Sequence, residues 1–121
     1  MKYMILLFGD QNTMMEVKTP EWIREMIKLM QTIDQELKDS GEYVDGQGLV
    51  DPSQAKTVRF VKGAPVPTDG PFAEAKEFLA GFYLLDCADF DRAVEIAARI
   101  PEASFGVVEV RPVMGLHGTD L

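Results

Sequence analysis

The chain has 121 residues, 46% of them hydrophobic, and a formal net charge of −8 from 20 acidic against 12 basic side chains. That length suits one domain with one core, and the hydrophobic fraction is too high for a disordered chain. The acidic balance argues against non-specific binding to nucleic acid or to an anionic membrane, and no basic run offsets it.

The run Tyr3-Met4-Ile5-Leu6-Leu7-Phe8 stops at Gly9-Asp10. It is too short to span a bilayer, and no small-residue cleavage site follows, so a buried first strand over 2–8 is expected rather than a signal peptide. Residues 9–19 read as a polar loop; Met14 and Met15 there line either a lid or a covered loop. Thr19 is placed to cap a helix that has Pro20 at its first position and Glu21 in its first turn. Ile23, Met26, Ile27, Met30, Ile33 and Leu37 recur at helical spacing and predict one buried face. Ser40-Gly41 ends the helix, with Gly41 suited to a left-handed position.

Glu42 to Val50 reads as an irregular strand, Thr57 to Val61 as a strand, Lys62-Gly63 as a turn and Val66 as part of a short return. Asp69-Gly70-Pro71 is a turn signal, and residues 72–77 suit a single helical turn. Gly81 to Asp86 is a strongly apolar strand. Asp89 caps a second helix whose inner face is expected to be Phe90, Ala93, Val94, Ala97 and Ile100, with Pro101 as the stop. Gly106 to Val113 is the last strand. Residues 1–114 thus form one domain, followed by a loose tail over 115–121. Cys87 is the only cysteine, which excludes an internal disulfide and points to a reducing compartment, the cytoplasm by default.

This order of strands and helices predicts an α+β domain: a ferredoxin-like antiparallel sheet with both helices on one face. Its central strands, 2–8 and 81–86, are apolar on both sides, yet helices cover only one. A partner sheet in a symmetric homodimer is the expected cover for the other. The alternative is that the loops at 9–19 and 62–77 fold over it.

The segment Thr68-Asp69-Gly70-Pro71-Phe72-Ala73-Glu74-Ala75-Lys76-Glu77 gathers the ionisable groups Asp69, Glu74, Lys76 and Glu77. It reads either as a polar site at a pocket mouth or as a turn cap followed by a solvated charged face. Glu109 and Arg111 share one face of the last strand, opposite Val108 and Val110. With Arg59 they make a candidate anchor for a polar or anionic small molecule, or else a structural ion pair on an edge strand. Cys87 reads as a small core residue, and Tyr3 and Tyr83 as core packing with a phenol in reach of a pocket. Trp22 reads as an anchor for the first helix. No cofactor or metal site is expected. One histidine and one cysteine leave no zinc set, and Gly46-Gln47-Gly48 is too short for a phosphate loop and precedes no helix.

The Thr68 to Glu77 string, followed by Gly81-Phe82-Tyr83-Leu84-Leu85, resembles the signature of the YCII-related family, in particular its DGPF branch. Gly48-Leu49, Thr57-Val58-Arg59, Ala93, Pro101 and Val108-Glu109-Val110-Arg111-Pro112 agree with it. The resemblance implies a ferredoxin-like fold assembled as a dimeric α/β barrel. Members are mostly uncharacterised, and some relatives are encoded with or fused to extracytoplasmic-function sigma factors. A His-Asp pair in a pocket has suggested catalysis for the wider group. This sequence departs from that pattern, since its only histidine is His117 in the tail. The resemblance therefore carries over Asp69 alone as acid or base, and gives Glu74, Lys76 and Glu77 a position without a role. Two functions are expected to compete. One is a small-molecule-binding protein or cofactor-independent enzyme of the proton-transfer, isomerase or lyase type. The other is a non-catalytic module associated with sigma factors.

Overall fold

The computed structural model describes residues 1–10, 19–73 and 76–115. In chain order the elements are β1 (Lys2–Asp10), α1 (Pro20–Asp39), β2 (Tyr43–Gly48), a 3₁₀ turn (Pro52–Gln54), β3 (Lys56–Val61), β4 (Ala64–Asp69), β5 (Glu77–Asp86), α2 (Phe90–Arg99), α3 (Glu102–Phe105) and β6 (Val107–Pro112). Four strands form an antiparallel sheet in the order β2-β5-β1-β6, while β3 and β4 pair as a separate hairpin. With the hairpin set aside, this is the ferredoxin-like order, and the two strands predicted to be central are β5 and β1.

Alternation along the central strands sets which side is core. Tyr3, Ile5 and Leu7 of β1 and Tyr83 and Leu85 of β5 are buried together with Ile33, Leu37, Cys87, Ala93, Ile96, Ala97 and Ile100. Val108 and Val110 pack against the same cluster from β6. The intervening residues Met4, Leu6, Phe8, Phe82 and Leu84 point to the helix-free side and are half-buried.

The helix ends follow their capping residues. Thr19 Oγ1 accepts from the Trp22 N–H at 3.1 Å, and Asp89 Oδ1 from the Arg92 N–H at 2.8 Å. Gly41 takes φ 79° just past α1. Lys62 and Gly63 turn the β3–β4 hairpin with φ 53° and 80°, the pair of positive values that tight hairpins require.

Four expectations are corrected. Only Ile33 and Leu37 of the α1 stripe are buried, while Ile23 and Ile27 stay 37% and 52% exposed. A 20-residue helix of about 30 Å outruns the six-residue strand β2 beside it, at roughly 20 Å. In α2 Ala93, Ile96 and Ala97 are the buried residues, while the expected Phe90 and Val94 are 43% and 46% exposed. At 100° per residue, 93, 96, 97 and 100 share a face that 94 leaves. β5 begins at Glu77, four residues before the expected Gly81, and at the described positions 72, 73 and 76 the chain is bent rather than in the expected helical turn. The short α3 between Pro101 and β6 had no sequence signal beyond the proline.

Candidate functional site

The side chains singled out in the sequence fall in two separate places. Asp69 ends β4, and its carboxylate, 92% exposed, lies 3.7 Å from Lys56 Nζ across the hairpin. Arg59 is exposed on β3, with its guanidinium 4.9 Å over the Phe72 ring. Thr57 Oγ1 donates to the Gly70 carbonyl at 2.9 Å, which ties the turn after Asp69 to β3. Lys76 and Glu77 are exposed where the chain enters β5. Glu74 lies outside the described residues, as do Met14, Met15 and His117.

On the far edge of the main sheet, Glu109 and Arg111 pair with Leu6 and Met4 and are exposed on the helix-free side. That is the face expected for them once Val108 and Val110 turn to the helices. Arg111 and Met4 border an open groove there with Pro112, Val113 and Met114. Arg59 meets the Phe72 ring and Asp69 meets Lys56 at the hairpin, whereas Glu109 and Arg111 sit on β6 at the edge of the main sheet.

A better enclosed site lies on the other side of the sheet. A cleft of about 220 Å³ opens between α1, β2, β5 and the start of α3. Its walls include Met30 and Asp34 of α1, Tyr43, Gly46 and Gln47 of β2, Tyr83 of β5, and Glu102. Tyr83 is 5% exposed, and its hydroxyl donates to Asp34 Oδ1 at 2.7 Å. Burial first, then the bond to Asp34, pushes the Tyr83 phenol well above its ordinary pKa. Tyr43 stands edge-on to it, with ring centroids 6.5 Å apart, and its phenol is likewise raised by burial, then by Asp45 and Asp34.

Gly46 makes the space between these rings. A Cβ there would lie 3.0 Å from Tyr83 Cδ1 and 3.3 Å from the Tyr43 hydroxyl. Glu102 closes the end of the cleft. Its Oε2 is sealed from solvent with no hydrogen-bond partner among the described residues, and burial raises its carboxyl above the ordinary glutamate pKa. A carboxyl of that kind can hold or release a proton where a solvated one cannot, and Asp34, Tyr83 and Tyr43 offer further polar contacts to a ligand.

Sequence reasoning passed over Asp34 and Glu102. Asp34 occupies a helix position next to the buried Ile33, and Glu102 follows a helix-stopping proline. The available signal was Tyr83, an inward phenol on a central strand that needs a partner when buried. Among the described residues no group of three or more His, Cys, Asp or Glu is placed to hold a metal ion. No helix there is long and apolar enough to cross a membrane.

Sheet order, helix placement and the cleft beneath α1 define an α+β protein of the ferredoxin-like kind with a pocket on its helical side. The chain belongs to the YCII-related family, whose domain model matches residues 1–117. It is also 34% identical over 119 residues to an uncharacterised protein of Rhizobium meliloti (strain 1021), a match spanning 93% of this chain and 92% of that one.

Proposed function

We propose that the chain binds a small molecule in the cleft between α1, β2, β5 and α3, and that it moves a proton on that molecule. Glu102 is the acid or base, and the Tyr83–Asp34 pair holds the ligand. The observation that carries this reading is the sealed, unpartnered Oε2 of Glu102 in the wall of a polar cleft. A buried acceptor without a partner costs about 1–3 kcal/mol, a cost that a bound hydrogen-bond donor relieves. Isomerase and lyase steps that begin with proton abstraction need no more than such a carboxyl and an oriented phenol.

Asp69 is the competing acid or base, on the strength of its motif. Its exposure and its pairing with Lys56 give it a solvated setting that favours a hairpin charge over a poised catalyst. Arg59 and Arg111 as anchors for an anionic group belong to that competing site.

A metabolite library screened by thermal shift, followed by deuterium incorporation from D₂O into each hit, separates the two. The cleft reading expects hits whose exchange falls by roughly 10²-fold or more in Glu102→Gln and stays unchanged in Asp69→Asn. Exchange lost in Asp69→Asn and kept in Glu102→Gln overturns it.

A second copy of the chain covers the helix-free face in this proposal, supported by the half-buried Met4, Leu6, Phe8, Phe82 and Leu84. Phe60 on the hairpin and Phe72 just after it are also 76% and 75% exposed, and together these make more apolar surface than a monomer ordinarily leaves open. The same surface is the feature that favours the alternative, a non-catalytic module docked on a sigma factor. A stable heterocomplex in a pull-down, without any ligand hit, is the outcome that selects that alternative.

A further inference from the structure

The charged side chains of the cleft wall are carboxylates, and several of the donors beside them are already committed. The Tyr83 hydroxyl proton is committed to Asp34 Oδ1 at 2.7 Å, which leaves the phenolic lone pairs and the second Asp34 oxygen. Gly46 N–H donates to Asp45 Oδ1 at 2.9 Å, and Gln47 Nε2 reaches the same oxygen at 3.3 Å, so donors along the β2 rim are directed away into a neighbouring carboxylate. Glu102 Oε2 has no hydrogen-bond partner among the described residues. The charged side chains in the wall are Asp34 and Glu102, and no Lys or Arg is among the described residues that line it. Two tyrosine rings complete the wall, and Tyr43 already receives an ammonium group on its ring, with Lys38 Nζ 5.1 Å from the centroid.

Carboxylates whose neighbouring donors are already committed, beside electron-rich ring faces, attract a positive charge and repel an anion. The volume of about 220 Å³ matches roughly seven water molecules at ~30 Å³ each, which suits one ring or a short chain. We propose that the molecule held in this cleft is a small organic cation, an ammonium or guanidinium carried on an apolar body. Asp34 and the Tyr83 oxygen receive the charged head, and Met30 and Leu7 meet the body. The inference rests on the cleft being the binding site, and its ligand differs from the polar or anionic molecule expected at Arg59, Glu109 and Arg111.

Benzylammonium, benzyl alcohol and benzoate share one frame and differ in charge. Titrated into the full chain at neutral pH, they are followed by amide shifts of Gly46, Gly48 and Gly81. The ammonium is expected to bind roughly tenfold or more tightly than the alcohol, with the benzoate weakest. Asp34→Asn still accepts the Tyr83 hydrogen bond, so the fold is retained, and it is expected to remove the preference between ammonium and alcohol. Alcohol or benzoate binding at those amides as tightly as the ammonium overturns the charge assignment and leaves the cleft standing. Failure of the ammonium probe while an uncharged hit from the library moves the same amides does likewise. Silence of those amides towards every compound, charged or not, removes the cleft reading itself.

Discussion

At the residue scale two carboxylates answer pH in opposite senses. Glu42 is held by Arg92 through a two-pronged pair, Nε to Oε2 and Nη2 to Oε1, both at 2.9 Å, and its side chain is only 14% exposed. The Arg92 hydrogen bond, working against burial, keeps the Glu42 carboxyl below its ordinary value. A depressed folded-state pKa contributes stability above the unfolded value, and this is lost as pH falls through the folded one. Arg92→Met is therefore expected to destabilise by about 1–3 kcal/mol at pH 7. The difference from wild type should shrink as pH falls below the ordinary glutamate range, as denaturant melts at several pH values would register.

Glu102 behaves the other way. Burial raises its pKa, so its stabilising share is complete below the unfolded value and is lost as pH rises through the folded one. Glu102→Gln is expected to gain about 1 kcal/mol at pH 7, roughly 4 °C in Tm, and nothing near pH 3.5. An equal gain at both pH values would mean that the carboxyl is not desolvated. Neither residue announced itself in sequence. Tyr83 meets Asp34 across 49 positions, a separation that local pattern does not encode, whereas the Asp69 string drew attention by its composition and landed on a solvated hairpin.

At the element scale, capping and alternation were legible because both are local. Thr19, Gly41, Asp89 and the central strands sit where single-residue chemistry puts them. The extent of α1 burial and the start of β5 were not, since they depend on how far neighbouring elements reach. Three glycines test the strand packing. A Cβ on Gly106, between α3 and β6, would fall 2.3 Å from the Phe8 carbonyl oxygen. On Gly81 it would fall 2.7 Å from the Gln47 carbonyl oxygen, where β5 meets β2, and on Gly48 it would meet nothing within 4 Å. Backbone oxygens cannot swing aside as side chains do, so the strands must part. Alanine is expected to cost about 3 kcal/mol or more at Gly106, about 1–3 at Gly81 and near zero at Gly48. Urea midpoints give the order directly, and a Gly48→Ala cost equal to that of Gly81→Ala would contradict this account of the β2–β5 contact.

At the scale of the whole molecule, the sheet presents two unlike faces. One carries the helices and the fully buried core. The other carries Met4, Leu6, Phe8, Phe82 and Leu84 with Glu109 and Arg111 along its β6 edge, while Phe60 on the hairpin and Phe72 after it are also exposed. The apolar, two-sided character of β1 and β5 was plain in the sequence, but what covers the second side is not written in the pattern of one chain. If a second copy covers it, the chain should travel in sizing chromatography with light scattering at twice its own mass. Leu6 lies mid-sheet between Glu109 and Phe82 and lines no part of the helical-side cleft. Leu6→Lys adds a charge that a single chain can leave in water and that a buried dimer interface cannot. The variant is expected to run as a folded monomer, with its circular dichroism retained and its affinity for the cleft ligand little changed. A wild-type protein that is monomeric at tens of micromolar would instead leave this face open to solvent, and the apolar residues on it would then need a different partner.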